Sequence, residues 1–248
     1  MSALISAAGL VKAFNGMRAV NEVALDIPEG RVTGIIGPNG AGKTTLVHLL
    51  TGHLVPDAGR IEFEGTDITA LSADARVRQH LCRTFQIVNI FTRLSVFENV
   101  QIVRITRHGR NLRFFSPAAR EACSEVEAAL KEVGLWELRD RQADQLSHGQ
   151  QRRLDLAITL ATEPRLCFLD EPTSGVSPRE RDQMLELIKE LGKAHRTTFV
   201  VIEHDMEVVF GLCDWIIVMH RGAVLAEGTP DEIRANREVR EVYLGEEV

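Results

Sequence analysis

The chain has 248 residues, which is near the upper limit for a single hydrophobic core, so one domain with a subdomain or two small lobes is expected. Its formal net charge of −6 counts against a dedicated nucleic-acid binder. The four cysteines are scattered and form no CxxC pair, which indicates neither a zinc site nor a disulfide framework and suits a reducing cytoplasm.

The N-terminal part of the chain carries patterns typical of strands. MSALISAAGLVKAF (1–14) has a short apolar run with no basic segment before it, so we interpret it as a strand and not as a signal peptide. The run RVTGIIG (31–37) predicts a buried strand, which a Gly-rich turn and the helix KTTLVHLLTG (43–52) follow. Two further strands are predicted at RIEFEG (60–65), whose alternation is typical of an antiparallel edge, and at HLCRTFQ (80–86).

Helical patterns dominate from about residue 95 to residue 160. The clearest is SPAAREACSEVEAALKEVGL (116–135), with Ser116 as its cap, Pro117 in its first turn and Gly134 at its end. No apolar run in the chain approaches the roughly 20 residues that are needed to cross a bilayer, so a soluble protein is expected.

Strand patterns return towards the C-terminus, at RLCFLD (165–170), TTFVVIEH (197–204) and a hairpin over residues 214–228. Two short surface helices are predicted over residues 228–248. Strands separated by helices predict an α/β fold with a mostly parallel sheet and with ligands at the strand ends. The helix-rich middle predicts an inserted helical lobe.

The segment GPNGAGKT (37–44) matches the phosphate-binding pattern G-x-x-x-x-G-K-[ST] between a predicted strand and a predicted helix. Glycines let successive backbone amides turn towards a β-phosphate. Lys43 adds a positive charge near the β- and γ-phosphates, and Thr44 offers a hydroxyl to Mg²⁺. The alternative is an ordinary Gly-rich turn. The predicted nucleotide-binding residues of this segment are Gly37, Pro38, Asn39, Gly40, Ala41, Gly42, Lys43, Thr44 and Thr45.

Four polar residues at predicted strand ends are candidates for metal binding and catalysis. Asp170 can hold Mg²⁺ through water, and Glu171 can orient or deprotonate the attacking water. His204 can hydrogen-bond a γ-phosphate oxygen, although a lone histidine is as often structural. Gln86 can contact both metal and water through its amide, and its alternative is a plain surface residue.

A second helix start suited to an anion occurs at LSHGQQRRLDLA (146–157). Ser147 can cap this helix, and Gly149 can free its backbone. A small hydroxyl and free amides at a helix start hold an anion. The residues alone leave open whose phosphate this second site holds.

The order and spacing of these motifs resemble those of ATP-binding subunits of ABC transporters over nearly the whole chain. The resemblance implies a P-loop ATPase core made of residues 1–86 and 162–235, a helical signature subdomain at 87–161 and a C-terminal tail at 236–248. It also implies that ATP and Mg²⁺ are bound and that two such chains meet head to tail.

Three signature residues and one aromatic residue take their roles from this resemblance. Ser147, Gly149 and Gln150 would contact the γ-phosphate of ATP bound by the partner chain. Phe14 corresponds to the aromatic residue that stacks on adenine, because a ring face is all that stacking requires. The alternative for Phe14 is a plain core residue.

Finer detail resembles the LivG-type branch, which comprises subunits of branched-chain amino-acid importers, although subunits for urea, short amides or other amino acids are similar. The long linker from Gln101 to Pro117 also resembles that branch. The other segments that carry this likeness are RTFQ (83–86), LSVFENV (94–100), GQQRRLDLA (149–157), IEHDMEVV (202–209), AEGTP (226–230) and YLGE (243–246).

The branch resemblance implies an ATPase subunit attached peripherally to the cytoplasmic face of the plasma membrane. Its implied partners are a second ATPase subunit, identical or homologous, a transmembrane permease and, indirectly, a periplasmic or extracellular solute-binding protein. No nucleic-acid partner is expected. The rival functions are a non-transport ABC ATPase acting on nucleic acid or ribosomes and a P-loop kinase or switch, which would leave LSHGQ without a purpose.

Three features depart from the family pattern or are left open by it. His148 stands where the common signature has Gly, and it needs only ordinary helical angles there. Ser177 replaces a common Asp in the loop after the two acids. The basic segment 104–115 is either a contact with membrane or permease or a solvated surface loop.

Overall fold

Strands occur before and after a helical stretch in the described part of the chain, as the sequence predicts. In a computed structural model of the chain, residues 3–84, 90–107, 117–195 and 197–244 are described. The strands of these residues are β1 (Ala3–Phe14), β2 (Met17–Pro28), β3 (Val32–Ile36), β4 (Ala58–Phe63), β5 (Thr66–Asp67), β6 (Leu81–Arg83), β7 (Leu166–Asp170), β8 (Thr198–Ile202), β9 (Trp215–His220) and β10 (Ala223–Gly228).

The helices lie between the strands and after them. In chain order they are α1 (Lys43–Leu50), α2 (Ala73–Arg78), α3 (Val96–Arg107), α4 (Pro117–Glu132), α5 (His148–Leu160), α6 (Pro178–His195), α7 (Met206–Leu212), α8 (Pro230–Ala235) and α9 (Arg237–Leu244). In this described part of the chain, none of them combines the length and the apolar character that a membrane crossing requires.

A six-stranded sheet forms the centre of the fold, in the order β10-β9-β3-β8-β7-β6. All neighbouring pairs from β9 to β6 are parallel, and β10 is antiparallel to β9. Both β3 and β8 are buried at every residue, as expected for strands covered on both faces. The predicted mostly parallel sheet is therefore confirmed.

The antiparallel part of the fold is a separate four-stranded sheet in the order β2-β1-β4-β5. Strand β4 contains most of the predicted segment RIEFEG, but it lies between β1 and the two-residue strand β5 and is not at the edge. The predicted edge position is therefore wrong. The alternation in this segment arises because only one face of the sheet packs inward.

Two hydrophobic clusters cover the two faces of the central sheet. One contains residues of α1 and of the antiparallel sheet together with Ile35, Phe168 and Val200. The other contains residues of α3 to α6 together with Ile36 and Leu169. Successive residues of one strand enter opposite clusters, because strand side chains alternate between faces. The helical segment thus packs on the face opposite α1.

One boundary in the helical segment differs from the sequence interpretation. Helix α3 continues to Arg107, so the first part of the expected linker from Gln101 is helical. The first residues of the basic segment 104–115 therefore belong to this helix and not to a loop. Residues 108–116, including the predicted cap Ser116, lie outside the described residues. Gly134 has a φ of +69° just after α4, which confirms its predicted position at the helix end.

A single arginine joins the C-terminal end of α1 to the neighbouring β4–α2 region. Arg76 is 1% exposed, and burial lowers its pKa to about 10. Its guanidinium donates to the carbonyls of Leu49 and Leu50 at 2.7 Å each, which belong to the last turn of α1, where carbonyls have no i+4 helical partner. Further bonds reach the carbonyls of Leu71, Ile68 and Thr69.

We predict that Arg76→Met lowers the free energy of unfolding by at least about 3 kcal/mol, because several buried carbonyls lose their donor at once. Urea denaturation measures the loss. The matched control is Arg60→Met, because Arg60 is 57% exposed and pairs with the surface carboxylates of Glu62 and Asp67. This control should be far less destabilising. Equal losses in the two variants would contradict the anchoring role of Arg76.

Candidate functional site

The Gly-rich turn between β3 and α1 has no room for side chains at two of its glycines. A Cβ atom on Gly37 would lie 2.4 Å from the Met219 carbonyl oxygen, and one on Gly42 would lie 2.3 Å from the Ala19 carbonyl oxygen. Gly42 also has a φ of +97° and precedes α1 without a side-chain cap. The first N–H groups of α1 are therefore available to an anion.

Lys43 is held inside this turn. It is 6% exposed, and its Nζ donates to the carbonyl oxygens of Gly37 at 2.5 Å and Pro38 at 3.1 Å. Burial lowers the pKa of Lys43, and the nearby Glu171 carboxylate partly offsets this effect. The turn thus presents a positive charge that is positioned by its own backbone.

Asp170 ends β7 and forms an ion pair with the neighbouring strand. Arg83 at the end of β6 donates from Nη2 to Asp170 Oδ2 at 2.6 Å. The Asp170 backbone N–H also donates to the Thr84 hydroxyl at 3.4 Å. Because β6 and β7 are parallel, their carboxyl ends meet at one edge of the sheet and bring these groups together.

Glu171 and His204 form a second polar pair at the same edge. Glu171 Oε1 lies 3.1 Å from His204 Nε2, and Glu171 has a left-handed φ of +46°. Its N–H donates to the Ile202 carbonyl at 2.9 Å, which ties this unusual backbone to the end of β8. Nearby, the Thr173 hydroxyl donates to buried Glu203 at 2.7 Å. These bonds fix how the Glu171 carboxylate faces the turn.

Lys43, Arg83, Asp170, Glu171 and His204 line one cleft of about 800 Å³. From the predicted site it brings together residues 39–45, Asp170, Glu171 and His204, and Lys43 connects it to Gly37 and Pro38. Its other lining residues are Ala19, His48, His53, Arg83 and Ile202. The predicted ligand Gln86 lies outside the described residues.

Sequence reasoning missed three basic residues of this cleft. Arg83 could have been found from its place at the end of a strand that neighbours the Asp170 strand. His48 lies one helical turn after Thr44, and its ring centroid is 5.8 Å from that of His53. Burial and, to a smaller extent, the Arg83 charge lower the pKa of both histidines. Both shifts favour the neutral form of the imidazole.

Phe14 lies at the end of β1 and outside the lining of the cleft. It is 46% exposed, so the alternative of a plain core residue is wrong. Lys12 Nζ is 6.0 Å from the centroid of its ring. An exposed ring of this kind is available for stacking.

The signature residues begin α5 and do not line the cleft. Ser147 caps the helix, as predicted, in a reciprocal arrangement with Gln150. The Ser147 hydroxyl accepts from the Gln150 N–H at 3.3 Å, and Gln150 Oε1 accepts from the Ser147 N–H at 2.9 Å. The hydroxyl proton of Ser147 remains available to a further acceptor.

Gly149 does not supply the backbone freedom that the sequence predicts. It is not among the glycines with positive φ, and it lies inside α5. A Cβ atom at this position would lie 2.6 Å from Glu180 Oε1. Glu180 is in turn held by Ser177, whose N–H and hydroxyl both donate to Glu180 Oε2. Gly149 thus leaves space for the Glu180 side chain beside the start of α5.

The two departures from the family pattern, His148 and Ser177, lie beside this contact between α5 and α6. His148 is the first residue of α5, where helical angles suffice, and its side chain is exposed. Its Cδ2 atom would lie 3.2 Å from a Cβ atom on Gly175, so the ring covers the loop that leads to α6. Ser177 caps α6 in the place where the family commonly has Asp.

The central sheet, the glycine turn before α1 and the acidic strand ends define a P-loop nucleotide-binding protein. The ABC transporter family model matches residues 20–174, and one described as a branched-chain amino acid ATP-binding cassette transporter matches residues 223–248. The chain belongs to the ABC transporter family and is an ATP-binding subunit with ATPase activity. The predicted family and fold are thus confirmed.

Two curated relatives match almost the full length. The high-affinity branched-chain amino acid transport ATP-binding protein LivG of Salmonella typhimurium is 41% identical over 98% of this chain and 98% of its own. The corresponding protein BraF of Pseudomonas aeruginosa is 40% identical over the same shares. The match of these relatives confirms the predicted likeness to the LivG-type branch.

Two solved structures extend the comparison. A nucleotide-free ATP-binding cassette from an ABC transporter has a TM-score of 0.86 and 31% identity, over 99% of this chain and 100% of that chain. A dimeric cassette in a post-hydrolysis state, bound to ADP and phosphate, has a TM-score of 0.76 and 25% identity, over 91% and 98%.

We predict that the effect of Gly149→Ala on the free energy of unfolding depends on Glu180. In the wild-type background the new methyl group must displace Glu180 from Ser177, whereas in a Glu180→Ala background it meets no such obstacle. In urea denaturation, the change in the free energy of unfolding caused by Gly149→Ala should therefore be less favourable in wild type than in the Glu180→Ala background.

Gly211→Ala is the control, because Gly211 is in helix α7 and a Cβ atom there meets nothing within 4 Å. It should stabilise by roughly 0.5–1 kcal/mol in both backgrounds, as expected for alanine in a helix. An effect of Gly149→Ala that is the same with and without Glu180 would contradict the contact between α5 and α6.

Proposed function

We propose that the protein is the ATPase subunit of an importer for branched-chain amino acids, bound peripherally at the cytoplasmic face of the membrane. The observation that carries this proposal is the likeness to LivG and BraF over 98% of each chain. The match of residues 223–248 to a branched-chain cassette segment supports the same branch. Related solutes such as urea or short amides are the competing cargoes.

The proposed site binds the phosphates of ATP with the glycine turn. The N–H groups at the start of α1 face the phosphates, and Lys43 exchanges its carbonyl partners for phosphate oxygens. Phe14 supplies the ring face for adenine. These contacts hold the γ-phosphate at the edge of the sheet where Asp170 and Glu171 lie.

The same edge fits a magnesium ion, because the Thr44 hydroxyl and the Asp170 carboxylate line one cleft and Mg²⁺ prefers oxygen ligands. We propose these two residues as its protein ligands, together with Gln86. When bound, the ion would neutralise charge on the phosphate oxygens.

Glu171 acts as the general base in this proposal. Its carboxylate accepts a proton from water while the water oxygen bonds to the γ-phosphorus and the bond to the β-phosphate oxygen breaks. The products are ADP and inorganic phosphate. His204, 3.1 Å from Glu171 Oε1, orients the carboxylate and can donate to a γ-phosphate oxygen.

A second ATPase subunit completes each site. Ser147, Gly149 and Gln150 do not line the cleft of their own chain, and the Ser147 hydroxyl can still donate a hydrogen bond. In the proposed head-to-tail pair, the start of α5 in one chain contacts the γ-phosphate held by the other. The similar cassette bound to ADP and phosphate is a dimer, which supports this arrangement.

The proposed division of the chain follows from these roles. Residues 1–86 and 162–235 form the nucleotide-binding core, residues 87–161 form the signature lobe, and residues 236–248 form the tail. The lobe presents the start of α5 to the second subunit and contacts the permease. Closure on ATP and opening after hydrolysis then reach the membrane through this lobe.

We predict that Glu171→Gln keeps ATP binding but lowers turnover at least about 100-fold, because loss of a general base has effects of this size. The variant should accumulate as an ATP-dependent dimer, which light scattering after size exclusion detects. Glu190→Gln is the control, since Glu190 is exposed and lies outside the lining of the cleft. Near-normal turnover of Glu171→Gln would remove Glu171 from the role of base.

Purification from detergent-solubilised membranes of the source cells tests the transport function. Tagged protein should bring permease chains with it, and deletion of its gene should abolish uptake of labelled leucine, isoleucine and valine. Uptake should return with the wild-type chain and not with Glu171→Gln. Recovery of ribosomes or nucleic acid instead would favour the non-transport alternative, and loss of urea or amide uptake alone would move the chain to another cargo.

A further inference from the structure

Arg83 forms an ion pair with Asp170, the carboxylate that is a ligand of the metal ion in the proposed function. Arg83 Nη2 lies 2.6 Å from Asp170 Oδ2, and the two side chains are only 8% and 13% exposed. The pair joins the ends of the adjacent parallel strands β6 and β7. Because it is sheltered from water, its attraction is screened little by salt.

Within the described part of the chain, Asp170 is the principal partner of Arg83. The Nε of Arg83 is buried and makes no hydrogen bond within the described part of the chain. The other described carboxylate that lines the cleft belongs to Glu171, which is paired with His204. The guanidinium is therefore held at the sheet edge chiefly by one carboxylate.

The cleft gives the Arg83 side chain space to leave this carboxylate. The cavity measures about 800 Å³, and Arg83 itself lines it. The rings of His48 and His53 line the same space. Burial lowers the pKa of both rings, which disfavours a further positive charge beside a displaced guanidinium.

We propose that Arg83 is a positioning residue that neutralises Asp170 whenever no divalent cation is bound, and that Arg83 and the cation compete for this carboxylate. The inference rests on the proposed function in one respect, namely that Asp170 is a ligand of the cation. A carboxylate so little exposed is costly to leave without a counter-charge. Arg83 supplies this charge between turnovers, and the cation replaces it.

Competition of this kind weakens the apparent affinity for the cation. The apparent affinity is the intrinsic affinity multiplied by the fraction of molecules in which Asp170 is free. If about one molecule in ten has a free carboxylate, removal of Arg83 should strengthen cation binding about tenfold. A purely supporting role of Arg83 would have the opposite effect, because Asp170 would then lose its orientation.

The test is a titration with Mn²⁺ at saturating ADP, in which electron paramagnetic resonance measures the free ion. Arg83→Met should bind Mn²⁺ about tenfold more tightly than wild type. Arg83→Lys, which keeps the charge, should lie closer to wild type. Arg165→Met is the matched control, since Arg165 pairs with Glu29 and Glu64 beside the opposite end of β7 and should leave Mn²⁺ binding unchanged.

Unchanged or weaker Mn²⁺ binding by Arg83→Met would overturn the competition. The stronger binding should also disappear when Asp170→Asn is combined with Arg83→Met, and its persistence there would place the cation elsewhere. If neither wild type nor any variant binds ADP with Mn²⁺, the proposed function fails. Equal Mn²⁺ binding by wild type and all variants would overturn the competition alone.

A measurement on the wild-type protein keeps the proposal testable if Arg83→Met does not fold. The buried Nε–H of Arg83 gives a nuclear magnetic resonance signal that Arg83→Lys identifies by its loss. This signal should shift when Mg²⁺ is added to the ADP complex and not when ADP is added alone. A signal that ignores Mg²⁺ would show that the ion pair persists and would overturn the inference.

Discussion

The register of the parallel strands is the constraint on which the site depends. Asp170 lies level with Ile202 of β8, and Ile202 lies level with Ile35 of β3. Asp170 and Ile202 are the last residues of β7 and β8, and β3 ends one residue after Ile35, so all three strands leave the sheet at one edge. The glycine turn, Glu171 and His204 meet there because hydrogen bonds between strands fix their relative heights, although they are up to about 170 residues apart in the chain.

The charges at this edge are compensated by groups of the chain itself. Lys43 donates to carbonyls of its own turn, Asp170 pairs with Arg83, and Glu171 lies beside His204. Sheltered charges require partners, because isolated ones carry a large desolvation cost. In the proposed function, a nucleotide with its cation would exchange partners with these existing pairs. This exchange would link the binding of phosphate and metal to movement of side chains that already have defined positions.

The starts of α5 and α6 form a second unit, away from the cleft. Gly149 admits Glu180, Glu180 binds the cap Ser177, and His148 covers Gly175. The signature residues and the loop after Glu171 are thus in contact within one chain. Only Pro172 to Val176 separate Glu171 from Ser177, the cap of α6, so this loop directly joins the site to the surface proposed for the partner.

Local patterns predicted much of the fold and of the site. The buried run of β3, the glycine turn, the capping of α5 by Ser147 and the acids after β7 are short-range features, because each depends on residues that are close in sequence. The same is true of the order of motifs that identified the family. Gln86 stays a prediction, since it lies outside the described residues.

Tertiary structure alone decided the features that join distant segments. The separate antiparallel sheet follows from pairing of β1 with β4, and the role of Gly149 follows from a glutamate on another helix. The pair of Arg83 with Asp170 unites residues that are 87 positions apart. Local sequence could not supply these contacts, because strand pairing and helix packing are set by which apolar faces bury one another and not by the nearest neighbours in the chain.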